Sequence, residues 1–407
     1  MHGRIASQQP IVILSHVLHP AVVEGFLPAA RQRGRPVLLI SDHAQEHRRR
    51  LAELEVPADG LQVLECDVFN PLAVVELLDA QGLRPAAVFS NSDHLQTAAA
   101  LVAELFGCPG KDWRLCYAAK NKAAMRERLQ RLGLPGPWFQ VLTPGAELPS
   151  DAPYPLVAKP REGVASLDVR LCRDAVELAD YCAQFWRQQP RRALLLEAYL
   201  EGPLFTLETL GDGHNLRAVG GFDVELSPAP HFIEQAARWN GALSQAQRAA
   251  ALAQVAAFGI NFGVCHSEFI LTAAGPVLVE INYRSIGDGR EFLLDRLLPG
   301  GWFAPILALH LGEPLATADA DAGDACALVH YLIAARDGQL RQAPASFEQQ
   351  RPGHWCDYRA LRQVGDAIRL SHSNKDYLGV LRLIAPDAAS LDAQLATILA
   401  DLRWEQA

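Results

Sequence analysis

A parallel α/β unit followed by a larger α+β body is the fold class predicted for this 407-residue chain, and three observations predict it. The first hundred residues alternate short β-branched runs with amphipathic stretches. The middle carries apolar runs suited to antiparallel pairing, and the last eighty residues mix strand-like runs with a closing helical stretch.

Taken in order, Ile11 to Leu14, Val37 to Ile40, Val63 to Cys66 and Ala87 to Ser90 read as strands, each followed by a helical segment. In a parallel sheet, ligands gather at the carboxyl ends of the strands. Ser15-His16, Ser41-Asp42 and Ser90-Asn91-Ser92-Asp93 fall there; they read either as ligand loops or as plain helix caps. Gly107-Cys108-Pro109-Gly110 closes this unit, and a helix from about Tyr117 to Leu132 ends at Gly133, with Pro135 beyond. Leu156 to Lys159 and Val169 to Cys172 then form a hairpin around the loop from Pro160 to Asp168, followed by a helix from Asp174 to Trp186. Leu194 to Glu197, Phe205 to Leu210, Cys265 to Leu271 and Val277 to Asn282 read as antiparallel strands, with a helix from about Ser244 to Phe258 among them. From about Cys326 the runs Ala327 to Ile333 and Val380 to Ile384, with a helix from about Ser390 to Leu402, read as an appended α+β subdomain.

Composition narrows the function classes. Half of the chain is apolar and the charge is spread evenly, so a folded globular protein is expected. No apolar run approaches the roughly 20 residues that span a bilayer, and Ile11 to Leu14 is too short for a signal-peptide core, so a cytoplasmic location without membrane attachment is expected. The eight cysteines stand singly, with no CxxC pair, which argues against a zinc site and a disulfide framework. A net charge of −9 without a basic stripe gives nucleic acid no support as a partner. Neither GxxxxGK[ST] nor GxGxxG follows an expected strand. His43 and His47 have helical i, i+4 spacing but no third ligand in sequence, and read as a solvated face.

Chemistry concentrates in two apolar runs, His266 to Leu271 and Val277 to Arg284, joined by the turn Ala274-Gly275-Pro276. Alternation puts Glu280, Asn282 and Arg284 on one face, and the partner strand can bring Glu268 opposite them. Two carboxylates and an amide oxygen suit Mg²⁺, a hard cation that shares its shell with phosphates. As plain outward-facing residues Glu268 and Glu280 would sit oddly in runs with so little other polar face, because a buried carboxylate needs a partner.

The pattern HSEFILTAAGPVLVEINYR resembles the metal-binding hairpin of ATP-grasp enzymes, in which a Glu on one strand and a Glu-x-Asn pair on the next bind one or two Mg²⁺ ions. Three further elements follow in that family's order. Asn121 to Arg126 resembles its entry helix, Pro155 to Pro160 the strand bearing its phosphate lysine, and Leu195 to Gly202 its adenine hinge. The resemblance covers residues 85 to 300 by motif and the flanks by layout.

It implies an ATP-grasp fold with an N-terminal Rossmann-like pre-grasp domain (1–110), a core (111–325) and a C-terminal α+β subdomain (326–407). Within the core it implies an ATP lid at about 120–195 and a metal-binding part at 196–325. It also implies ATP and Mg²⁺ as cofactors, with Mn²⁺ able to substitute. Glu268, Glu280 and Asn282 would hold the metal; Lys122 and Lys159 would contact phosphates, under the loop Arg161 to Ser166, with Ser166 among the binding residues. Whether Lys120 or Lys122 faces the nucleotide stays open, since a one-residue slip moves the charge. Glu197 and the backbone of Tyr199 and Leu200 would read the adenine edge. Many relatives carry a ribose-binding Glu where this chain has Leu204, which passes that role to Glu201 or Glu208.

Arg284 and Lys159 would be catalytic, stabilising charge as a carboxylate is phosphorylated by ATP and the acyl phosphate is then attacked by an amine. The resemblance therefore implies a ligase acting on a small carboxylate and an amine, giving an amide, ADP and phosphate, with a homodimer compatible. Its C-terminal part, with Gly365-Asp366 and Asp376 to Gly379, resembles the carboxylase-like and amino acid ligase branches. The run Ile13 to Pro20 is similar to ATP-grasp proteins of carboxylate siderophore pathways. Substrate choice is expected from Asp223 to Asn240, with His231, Glu234 and Arg238, and Phe232 to Asn240 is expected as a loop over the acceptor site. Two other readings remain: a carboxylase using bicarbonate, and a nucleotide-binding regulatory protein without turnover.

Overall fold

The computed structural model describes residues 9–162, 167–316 and 325–407. Four parallel strands open it: β1 (Ile11–Leu14), β2 (Val37–Ser41), β3 (Leu61–Glu65) and β4 (Ala87–Phe89), in the order β3-β2-β1-β4. Both faces of β1 and β2 are buried, as the unbroken apolar runs require. Helices α1 (Leu27–Gln32), α2 (Ala44–Glu53) and α3 (Pro71–Ala80) are the crossovers, α4 (Gln96–Leu105) follows β4, and a π-helical stretch, Ala21–Phe26, leads into α1.

The expected helix from Tyr117 to Leu132 is two helices, α5 (Trp113–Lys120) and α6 (Lys122–Arg131). Asn121 breaks it: its backbone is extended and its side chain accepts from the Ala123 and Ala124 N–H groups, which makes it an N-cap. The break points Lys120 and Lys122 in different directions.

A second, antiparallel sheet follows: β5 (Phe139–Leu142), β6 (Leu156–Pro160), β7 (Arg170–Cys172) and β8 (Leu194–Ala198), in the order β5-β8-β6-β7, backed by α7 (Ala175–Gln188). The expected hairpin is present, with Leu156 opposite Cys172, although the tip, 163–166, lies outside the described residues.

The body is one ten-stranded antiparallel sheet. It takes β9 (Leu204–Asp212), β10 (Leu216–Gly220), β11 (Phe222–Leu226), β12 (Glu234–Trp239), β13 (Phe262–Thr272) and β14 (Gly275–Asn282), with α8 (Ala242–Phe258), α9 (Arg290–Leu297) and α10 (Phe303–His310) packed around them. The expected loop Phe232 to Asn240 is corrected by β12, whose Ala236 and Ala237 are buried; the loop is the shorter stretch before it. Beyond it come β15 (Cys326–Ile333), β16 (Gly338–Gln342), β17 (Phe347–Arg351), β18 (His354–Ala360), β19 (Ala367–Ile368), β20 (Tyr377–Ala385), α11 (Ala388–Asp401) and β21 (Glu405–Gln406). The large sheet runs β14-β13-β9-β11-β12-β15-β20-β18-β17, with β10 on β9, while β16, β19 and β21 form a small fourth sheet. Strands after Cys326 thus extend the core sheet through the β12–β15 pair, Ala237 facing Val329. Among the described residues no helix is long and apolar enough to cross a membrane, and all eight cysteines are free, five of them buried.

One cluster joins the small sheet to the body. Arg126 on α6 donates from Nε to Glu197 Oε1 on β8 at 2.6 Å, and from its two terminal nitrogens to the Leu278 and Val279 carbonyls on β14 at 3.3 and 2.6 Å. Lys159 on β6 meets the other Glu197 oxygen at 2.5 Å. Burial alone would raise the Glu197 carboxyl, but Arg126 and Lys159 outweigh it and hold the group down at about 2. Its stabilising contribution is therefore complete above the ordinary value of 4.5 and is lost as pH falls toward 2.

We expect Arg126→Met, which leaves the buried carboxylate with one partner, to lower unfolding stability in urea by about 3–5 kcal/mol at pH 7. Between pH 4.5 and 2 the wild-type protein should lose about 3 kcal/mol that Glu197→Gln, already weaker at neutral pH, does not lose; parallel urea midpoints across that range check this. On the other face of the large sheet, Phe205 is fully buried and stacked on Phe269 at 5.3 Å between ring centres. Phe205→Ala is expected to cost about 3–5 kcal/mol in the same assay.

Candidate active site

The strand pairings set polar side chains in two rows across β9, β13 and β14. Glu208, His266 and Asn282 are opposite one another in one row, and Thr206, Glu268 and Glu280 in the next. Alternation sends these side chains to one face, while Cys265, Phe269 and Ile281 go to the other, into the core under α8. A bulge after Glu268 shifts the register, so that Phe269 faces Leu278 and Val279 is the extra residue. The Val279 carbonyl is the nearer of the two that Arg126 takes.

Each oxygen donor of the expected metal site lies against a basic group. Lys122 Nζ is 3.0 Å from Glu280 Oε1, His266 Nε2 is 3.4 Å from Glu268 Oε1, and Arg284 Nη2 is 3.5 Å from Asn282 Oδ1. Asn282 Nδ2 also donates to Glu268 Oε1 at 3.3 Å, which turns its own oxygen outward. Burial would lower the His266 imidazole, yet Glu208, 2.7 Å from its Nδ1, and Glu268 raise it to about 9. Glu268 is correspondingly held below the usual carboxylate range, against the opposing push of burial. Two carboxylates and an amide oxygen on one face, in a setting that already draws positive charge, fit Mg²⁺.

Two clefts meet at this row. One is lined by Lys122, Lys159, Glu197, Tyr199 and Leu200, with the apolar side chains Val157, Leu204, Ile270 and Val279 as walls. The other is polar and is lined by Ser15, His19, Asn91, Asp93, Asn282, Arg284, Asp288 and Arg290. Glu234, Glu268 and Glu280 line both. The β1 and β4 loops of the first sheet therefore close one side of the polar chamber, so Ser15 and Asn91-Ser92-Asp93 face a cavity as well as capping: Ser92 Oγ still accepts from the His94 N–H.

The expected site residues fall out as follows. Lys122, Lys159, Glu197, Tyr199 and Leu200 converge on the apolar cleft, and Arg284 on the chamber. Lys120 turns away to pair with Asp93, which favours Lys122 for the cleft. The Tyr199 N–H already donates to the Pro155 carbonyl at 3.0 Å, so of the two expected backbone donors it is the Leu200 N–H that has no acceptor among the described residues. Glu208 is fully buried beneath His266 and does not line the cleft; its position makes it a partner of that imidazole rather than a ribose contact. Ser166 lies outside the described residues. Gly287 and Asp288 also line the chamber. Of the expected substrate-choosing residues, Glu234 is central, Arg238 pairs with Asp392 at the surface, and His231 stacks on His372.

Sequence reasoning gave no role to His266, Arg126 or Arg290. Arg290, at the start of α9, is buried and 2.8 Å from Glu234 Oε2. For His266 the signal was available, since it shares the face of Glu268 two residues on; for Arg126 and Arg290 the partners are distant in sequence and left none.

No family model matches the chain. It is 27% identical over 389 residues to the uncharacterized protein y4rH of Sinorhizobium fredii, covering 92% of this chain and 78% of that one. It is 30% identical over 288 residues to carnosine synthase 1 of Gallus gallus; that match covers 64% of this chain but only 30% of the synthase. Among solved structures, an L-amino acid ligase from Bacillus licheniformis superposes with a TM-score of 0.77 at 19% identity, over 98% of this chain and 99% of that one. With the fold matched over nearly its full length and the two carboxylates of the hairpin opposite each other, the chain has the ATP-grasp fold.

Proposed function

We propose that this protein joins a small carboxylate or amino acid to an amine at the expense of ATP, through an acyl phosphate, releasing ADP and phosphate. The observation that carries the reading is the meeting of an apolar, lysine-lined cleft with a polar chamber at Glu234, Glu268 and Glu280. A nucleotide in the first would present its terminal phosphate where a carboxylate in the second can reach it. Similarity to proteins named carnosine synthase and L-amino acid ligase supports an amide-forming reaction between amino acids.

In this reading Leu200 offers its N–H to the adenine edge, and Val157, Leu204, Ile270 and Val279 enclose the base. Lys159 and Lys122 neutralise phosphate oxygens. Mg²⁺ or Mn²⁺, held by Glu268, Glu280 and Asn282, would supply the remaining charge compensation there. From the chamber side, Arg284 stabilises charge on the transferring oxygens and then on the tetrahedral oxyanion formed by amine attack. His266, kept protonated by Glu208, holds Glu268 ionised and in place.

We further propose that residues 1–110, 111–325 and 326–407 act as three units: one wall of the chamber, the nucleotide-binding core, and a segment that braces β12. The run Ile13 to Pro20, which is similar to siderophore-pathway proteins, forms the end of β1 and the loop carrying Ser15, Val17 and His19 to the chamber, where a substrate-selecting difference would act.

Incubation with ATP, Mg²⁺ and pairs drawn from the amino acids, citrate, 2-oxoglutarate and ethanolamine, read by phosphate release and product mass, tests the reading. One pair should give an amide-mass product with ADP; Arg284→Ala should lower kcat by about 10²–10³-fold, and Glu280→Ala should abolish turnover. AMP and pyrophosphate as products, or phosphate release that requires bicarbonate and no amine, would overturn it.

A further inference from the structure

Outside the two clefts, the carboxyl ends of β1 and β2 bring together three side chains that the ligase reading does not use. His16 Nδ1 lies 2.8 and 3.0 Å from the two oxygens of Asp42, and His43 Nε2 lies 3.9 Å from Asp42 Oδ2. The His16 and His43 rings are 4.8 Å apart between centres. One ligating atom from each of the three residues falls within 4.8 Å of the other two. We infer that His16, Asp42 and His43 form a binding site for a divalent transition-metal ion of the zinc class, separate from the paired-carboxylate site.

Donor type and spacing carry the argument. Two imidazoles and one carboxylate are the N and O ligands that Zn²⁺, Co²⁺ and Ni²⁺ prefer over Mg²⁺. Ligands about 2.0–2.1 Å from a tetrahedral ion stand roughly 3.3–3.4 Å from one another. The contacts at 2.8 and 3.9 Å bracket that value, and the outlying ligand, His43, has a half-exposed side chain with room to swing inward.

The surroundings hold the other parts in position. His47 Nε2 lies 3.1 Å from the His16 carbonyl, Phe69 packs edge-on to the His16 ring at 5.1 Å, and Ser41 Oγ accepts from the His43 N–H at 3.0 Å. His47, expected with His43 on a solvated helical face, is instead buried and braces this loop. The loop continues through Val17 and His19 into the polar chamber, so an ion on His16 would tether one chamber wall.

The test uses the untagged full chain with Glu268→Ala and Glu280→Ala introduced together, so that the proposed Mg²⁺ site cannot contribute. Co²⁺ is titrated against visible absorption and Zn²⁺ by calorimetry, each metal alone. One equivalent of saturable binding is expected, weakened about tenfold or more by His16→Ala, by Asp42→Asn and by the surface change His43→Ala, with melting curves confirming that each variant is folded. Absence of saturable binding in the double variant, or binding that His43→Ala and Asp42→Asn both leave intact, would overturn the inference. Neither result depends on ligase turnover.

Discussion

Everything around the apolar cleft hangs on one buried carboxylate. Glu197 takes Arg126 on one oxygen and Lys159 on the other, and Arg126 passes on to two carbonyls of β14. The same ionic cluster therefore positions Lys159, fixes β8 and anchors the strand that carries Glu280 and Asn282. Removing any member leaves a charge in a place where water cannot answer it, a far larger penalty than losing a surface pair.

Charge at the meeting of the two clefts is likewise arranged in matched sets. Glu280 faces Lys122, Glu268 faces His266, Glu234 faces Arg290, and Asp93 takes Lys120 with Arg284 4.0 Å away. Burial tends to raise the Asp93 carboxyl, but Arg284 and Lys120 bring it below its usual range. In the proposed reaction, an anionic nucleotide and its metal would enter such a row by exchanging partners with it, and until then the acids do not stand uncompensated.

Much of this was legible because the informative residues break a local rule. Glu268 and Glu280 interrupt apolar strands, so a period of two was enough to place them with Asn282 on one face. Lys159 ends a strand before a proline, which singled it out. Other features carry no local signature. Arg126 looks like any helix arginine until β8 and β14 fold against it, and Glu208 reads as a plausible ribose ligand until β13 supplies His266. Strand β12 was missed because the stretch from Phe232 to Asn240 mixes Glu, Gln and Arg with small residues; its pairing with β11 and β15 decides its conformation. Asn121 lies inside a helical pattern whose periodicity hides the break, although Asn is a favoured cap.

The pairing of β12 with β15 has a consequence for how this protein can change. A strand shared by two segments has no free margin, so the stretch after Cys326 cannot be shed or exchanged as an independent cassette. Without it, the backbone of Glu234 to Trp239 would lie open as a template for foreign strands, beside the acid common to both clefts. Solubility and active-site geometry are thereby inherited together.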